Sequence, residues 1–198
     1  MKTKYSFFAL ISRMKNITRW SLMRNNTIEN IQEHSHMVAV IAHALAVIKR
    51  DVFEHPADPG LAASIALLHD SSEIFTGDMP TPIKYYDKEI MEAYKKVESV
   101  ALRKLLTALP YNLRPAYQKL LSPDNDCEML KLVKAADRLA AYIKCIEELK
   151  AGNREFHHAA EQSREKLVQM NIPEVEYFID NFIPAFELTL DEIDFSFD

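Results

Sequence analysis

Glycine is scarce here, with three among 198 residues, too few for the tight turns of an all-β protein. Cysteine is scarcer still. Cys127 and Cys145 are the two present, both in helix-patterned sequence, so a disulfide framework is excluded and reduced thiols of a cytoplasmic protein are expected. Basic charge is in deficit: 24 Lys and Arg against 29 Asp and Glu give a net charge of −5. That leaves no footprint for a nucleic-acid polymer, and a small anionic substrate would need a local device to attract it. Long hydrophobic runs are missing, so no membrane span is expected. The opening "MKTKYSFFALISRMK" is too short and too soon followed by Arg13 and Lys15 to be a signal peptide. It reads as an amphipathic helix with Phe7, Phe8, Ile11 and Met14 on one face.

What is present points to helices. Apolar residues make up 48% of the chain and charged ones 27%, an ordinary globular balance. No repeat or linker divides the sequence, so 1–198 is read as one domain. Asn30 followed by Glu33 has the form of a capping box and opens a helix over 30–50, with Met37, Val38, Ile41, Leu45 and Ile48 as its stripe. Asp58 and Pro59 open the next, expected to run unbroken to 75, with Gly77 in the left-handed position beyond it. Further helices are expected over 87–109, 115–121, 126–151, 154–170 and 173–186, the last followed by an acidic tail. No segment alternates like a strand, and the fold class is all-α.

Three of these helices carry metal-type ligands on or beside an apolar face: His34, the pair His69 and Asp70, and Asp137. Singly, each is an ordinary core histidine or edge carboxylate. Together, two imidazoles and two carboxylates neutralise a divalent cation and leave coordination positions open, as catalysis requires. Nitrogen and oxygen donors without thiolate suit cobalt, manganese, iron, nickel or zinc. On a continuous helix Glu73 would share the face of His69 and Asp70, placing a further carboxylate beside the cation without binding it.

His34, the adjacent His69 and Asp70, and the distant Asp137 resemble the signature of the HD-domain phosphohydrolases, helical enzymes that hydrolyse phosphate esters at a metal. "TRWSLM" at 18–23, "EHS" at 33–35, "HDSSEIFTGDMPTPIKY" at 69–85 and "AADRLAAYIKCIEELKAGN" at 135–153 resemble the bacterial 5′-deoxynucleotidases of that superfamily, and the likeness covers nearly the whole chain. One departure is Ser21, where the pattern leads to a proline after Arg19 and Trp20; its absence is expected to loosen that turn.

The resemblance implies one divalent metal ion per subunit, held by His34, His69, Asp70 and Asp137, with His34, Asp70 and Asp137 also lining the substrate site. It implies that Arg19 binds the phosphate and that Trp20 excludes a 2′-hydroxyl. Asp78, Met79, Pro80 and Thr81 would line the nucleoside site, and Glu73 would handle protons. The activity implied is hydrolysis of deoxyribonucleoside 5′-monophosphates to deoxynucleoside and inorganic phosphate, by a cytoplasmic homodimer. Two other readings stay open: a hydrolase of nucleoside triphosphates or guanosine alarmones, and a helical scaffold whose metal is structural or absent.

Overall fold

In the computed structural model, residues 4–84 and 86–193 are described, the side chains of Thr81 and Pro82 excepted. Thr81, expected at the nucleoside site, therefore has its side chain outside the described residues, as does the end of the acidic tail. Among the described residues there is no strand, only an isolated antiparallel bridge between Thr18 and Asn30. The helices in chain order are α1 Phe7–Ile11, α2 Ile31–Asp51, α3 Pro59–Ala66, α4 Glu73–Thr76, α5 Thr81–Lys84, α6 Lys88–Thr107, α7 Arg114–Leu121, α8 Glu128–Lys150, α9 His157–Gln169 and α10 Pro173–Phe182.

The centre is a three-way packing of α2, α3 and α8. Val38, Ile41, Leu45 and Ile48 of α2 meet Ile65 of α3 and Leu132, Val133, Leu139 and Ile143 of α8. Ala42, Ala46, Ala62, Ala66, Ala135 and Ala136 are wholly buried among them, and side chains this small let helix axes approach at the short end of the usual range. A second core joins Phe7 of α1 to Leu105 of α6, Leu109 just beyond its end, and Leu121 of α7. A third sets Cys145 of α8 against Phe156 and Ala160, with Trp20 packed on it.

The expected start signals hold. Asn30 Oδ1 accepts from the Glu33 N–H at 3.0 Å while Glu33 Oε2 accepts from the Asn30 N–H at 3.3 Å, closing the capping box of α2. Asp58 caps α3 through the Leu61 N–H at 2.9 Å, with Pro59 in the first turn. Composition alone would let α2 span a membrane, contrary to expectation, but its apolar face is the protein core.

Four expected boundaries are corrected. α3 does not reach residue 75; it stops at Ala66, and 67–72 is wound in turns with N–H groups of His69, Ser71 and Glu73 bonded three residues back. The cause lies in the side chains: His69 Nδ1 takes the Ala66 carbonyl at 2.7 Å and Ser71 Oγ takes that of Leu68 at 2.7 Å, competing for helix acceptors. α10 ends at Phe182, and a 3₁₀ turn over Ile183–Glu187 follows, because Pro184 has no N–H to continue the ladder. α9 likewise begins only at His157, after a 3₁₀ turn over Arg154–Phe156 in which Asn153 caps the Glu155 N–H. The N-terminal helix is only α1, and the 3₁₀ turn after it changes the period. Phe7 and Met14 are buried, but Phe8 is 64% exposed, stacking edge-on with Phe7 and Tyr117 instead.

Candidate active site

Four segments converge on one point: the extended stretch before α2, the first turn of α2, the wound turn after α3, and the middle of α8. His34 is completely buried. Its Nε2 lies 2.9 Å from Asp137 Oδ1 and 3.7 Å from Asp70 Oδ2. His69 Nε2 lies 3.1 Å from Asp70 Oδ2 and 3.9 Å from Asp137 Oδ1. His34, His69 and Asp70 each aim one ligand atom into a space where all three lie within 4.8 Å of one another. Asp137 closes on them from α8 through Oδ1.

The protonation pattern suits a cation. His69 Nδ1 donates to the Ala66 carbonyl at 2.7 Å, which turns Nε2 toward the cluster as the free donor atom. That Nε2 is buried without a hydrogen-bond partner; its approach to Asp70 is too poorly aligned to count as one. Burial opposes a charge on the ring, but Asp70 first and Asp137 next overcome it and hold the imidazole up at about 9: the carboxylates favour positive charge at this point, which a cation would supply in place of the Nε2 proton. Burial would likewise raise Asp70 and Asp137, yet the neighbouring histidines hold both carboxyls below their ordinary range. The donor set of two imidazoles and two carboxylates therefore fits a divalent cation, which would satisfy the orphaned nitrogen and both carboxylates at once.

Glu73 opens α4 beside this cluster and is 7% exposed, with Oε2 buried and unpartnered. Burial, with Asp70 and Asp78 nearby, pushes its carboxyl up to about 9. Sequence placed Glu73 by continuous helix geometry; the wound turn is what brings it here. Gly77 then adopts φ +71° and ψ 169°, open to glycine alone, and reverses the chain into Asp78. Burial pushes Asp78 up as well, against the opposing pull of Arg19. Met79 and Pro80 follow, half-buried.

Arg19 points at the cluster from the stretch before α2. Its Nη1 lies 2.6 Å from Glu29 Oε2 and 2.8 Å from His34 Nδ1. Trp20 has φ +59°, an uncommon position for a bulky side chain, worth on the order of 1–3 kcal/mol of local strain. It is held there from several sides. The carbonyl accepts from Met23 N–H at 2.9 Å and Asn25 Nδ2 at 3.2 Å, and the ring packs on Phe156 at 5.3 Å between centroids. These bonds fix the turn that an exposed Ser21 was expected to loosen. Beyond it, the loop is pinned to α8. Glu148 accepts from the N–H groups of Asn26 and Thr27 at 2.9 and 3.0 Å and from Lys144, which also donates to the Thr27 carbonyl.

Sequence reasoning missed Glu29, Lys144 and Glu148. Lys144 and Glu148 stand four apart on a helix, the spacing of common surface pairs, and nothing in their order marks them as buried. Glu29 precedes the α2 cap with no motif around it.

A family model described as "5′-deoxynucleotidase YfbR-like" matches residues 6–186. A 5′-deoxynucleotidase of Erwinia tasmaniensis is 48% identical over 188 residues, 94% of this chain and 95% of that protein. One from Photobacterium profundum is 49% identical over 193 residues, 96% of this chain and 98% of its own. Among solved structures, an HD-domain phosphohydrolase from Listeria innocua superposes with a TM-score of 0.80 at 24% identity, covering 91% of this chain and 88% of that one. A cyanophage S-2L HD phosphohydrolase, bound to dA and one catalytic Zn²⁺ ion, gives 0.60 at 21% identity, covering 93% and 98%. The structural likenesses carry the helical fold alone; the family match over 6–186 and the sequence identities show that this chain belongs to the YfbR-like 5′-deoxynucleotidase family.

Proposed function

We propose that this protein hydrolyses deoxyribonucleoside 5′-monophosphates to deoxynucleoside and inorganic phosphate, using one divalent cation per subunit held by His34, His69, Asp70 and Asp137. The observation that carries this reading is the convergence of those four donors, one of them a buried nitrogen with no partner, beside the Arg19 guanidinium. When bound, the cation supplies positive charge against the phosphate and acidifies the attacking water.

The chain's own groups do the rest. Arg19 offers a planar fork of donors that matches phosphate oxygens, and holds the phosphorus in line for attack. Glu73, kept protonated by burial in the cation-free protein, is suited to hand a proton to the departing 5′-oxygen; a cation beside it draws that proton toward release. Asp78 is the acceptor for the 3′-hydroxyl, and Trp20, wedged in its strained turn, is the wall against a 2′-hydroxyl. Met79, Pro80 and Thr81 line the nucleoside from the same loop. A rigid wall can reject a hydroxyl strongly, where a merely apolar pocket would discriminate by only about 10²-fold.

Two attributes of the protein belong to the same proposal. Both cysteines are free, and Cys145 is buried with its thiol pushed up to about 12, which suits a reducing cytoplasm. Ile90, Val97 and Val100 form an exposed apolar seam at heptad-like spacing along α6, a face for the second copy of a homodimer.

The test is phosphate release from paired deoxyribo- and ribonucleoside 5′-monophosphates with Mn²⁺, Co²⁺ or Zn²⁺ in turn. Release from the deoxy series, abolished by chelator, is the expected outcome. Pyrophosphate released from triphosphates, with monophosphates untouched, would replace this reading with a triphosphohydrolase.

A further inference from the structure

Glu29 has no part in the chemistry above, yet it touches three of the residues that do. Its carbonyl accepts the Arg19 N–H at 2.9 Å. Its Oε2 accepts from Arg19 Nη1 at 2.6 Å and from the Trp20 indole Nε1 at 3.1 Å. Its Oε1 lies 3.8 Å from His34 Nδ1. The side chain is 16% exposed, so these partners replace most of the water a carboxylate needs.

A guanidinium can only donate. His34 Nδ1, 2.8 Å from Arg19, therefore accepts, and the ring proton sits on Nε2, where it is given to Asp137. A histidine that offers Nε2 to a cation must carry its proton on Nδ1 instead. Nδ1–H and Arg19 would then be two donors facing each other. Glu29 Oε1 is the acceptor at hand for that proton, while Oε2 keeps the indole. Arg19, relieved of His34 and braced through Nη1 by Glu29 Oε2, has its other N–H groups to offer a phosphate.

We propose that Glu29 is a positioning residue of this site: one carboxylate that fixes the indole wall, accepts the His34 Nδ1 proton in the cation-ready ring, and so releases Arg19 to the phosphate. The inference rests on the reading of the site given under the proposed function. A glutamine in its place keeps the size but turns an N–H₂ group toward one set of donors, so it can satisfy the indole or His34 and not both.

The experiment compares wild type with Glu29→Gln and Glu29→Ala, as full chains. Trp20 is the only tryptophan in the sequence, so its fluorescence reports the indole directly. Three things are measured: Mn²⁺ affinity by titration with the metal alone, Trp20 emission without substrate, and kcat and KM for deoxyadenosine and adenosine 5′-monophosphates. Loss of a hydrogen bond behind a metal-binding histidine weakens affinity by about 10–100-fold; that range is expected for Glu29→Ala, and for Glu29→Gln if its amide oxygen stays with the indole. Emission should shift, KM for the deoxy substrate should rise more than kcat falls, and the deoxy-to-ribo preference should narrow. In Glu29→Ala an unchanged Mn²⁺ affinity or an unchanged preference overturns the proposal, and in Glu29→Gln both unchanged together do so, whatever happens to the melting temperature. Should Glu29→Ala fail to fold, the isosteric Glu29→Gln decides alone. Should wild type release no phosphate from any deoxynucleotide, the hydrolase reading fails instead; the Mn²⁺ and emission data then decide on Glu29.

Discussion

Helix α8 buries charge at two places, and the two are finished to different degrees. In its C-terminal half, Lys144 and Glu148 are 4% and 1% exposed, and their bonding directions are taken by each other, by the 26–27 backbone and by Asn153. Near its middle, Asp137 meets His34, but His69 Nε2 and Glu73 Oε2 alongside have no partner. Both clusters cost desolvation. One recovers it inside the chain and acts as scaffold. The other leaves donors and acceptors aimed at a common point, the mark of a group that comes from outside.

Removing a donor from the open cluster should give the largest effect. His69→Ala and Asp137→Ala are each expected to abolish phosphate release and to lower the metal content of the purified protein, read by elemental analysis. Full turnover with metal retained would mean that the open cluster is as structural as the closed one. Next comes the group beside it. Glu73→Gln should keep its metal yet lose about 10² to 10⁴-fold in turnover, the usual share of a proton-handling side chain. Metal lost from this variant would move Glu73 into the ligand set and redraw the boundary of the cluster.

The closed cluster should respond the other way. Glu148→Gln is expected to keep metal content and most turnover while lowering stability, since breaking one side of a buried pair costs about 3–5 kcal/mol at its upper range. Burial opposes the Glu148 charge, but Lys144 and the N–H groups of Thr27 and Asn26 hold the carboxyl down at about 2, below its ordinary 4.5. A depressed carboxyl contributes stability that is whole above about pH 4.5 and is lost as pH falls through about 2. The gap in melting temperature between wild type and Glu148→Gln should therefore be widest near neutrality and close across that window. A gap independent of pH would show that packing, and not charge, holds the 24–27 loop.

How much of this was legible depended on whether a signal was local. The capping box of Asn30 and Glu33, the Asp58 cap and the Gly77 reversal depend on neighbours in sequence and could be read directly. His34, His69, Asp70 and Asp137 stood out because each interrupts or edges an apolar stripe. The end of α3 did not show, because turns bonded three residues back carry nearly the same apolar spacing as a helix, and only the His69 and Ser71 side-chain bonds reveal the change. Glu29, Lys144 and Glu148 were invisible for a further reason: besides near neighbours, each has a partner 9 to 122 positions away along the chain, and nothing in a linear order marks a side chain as the meeting point of distant groups.

Asp137 and Glu148 stand eleven residues apart on one unbroken helix, three turns and about 16 Å along its axis. Eleven steps of the helical rotation return almost to the starting direction, so one strip of α8 serves both the open cluster and the anchor of the Trp20 loop. The strip is thus a gauge block of fixed length. A single residue inserted between 138 and 147 would swing Glu148 by about 100°, cutting the loop adrift while leaving Asp137 where it is. The mostly exposed connection at 122–127, by contrast, can lengthen at little cost. Insertions and deletions in this chain are therefore tolerable just ahead of α8 and ruinous within its second half.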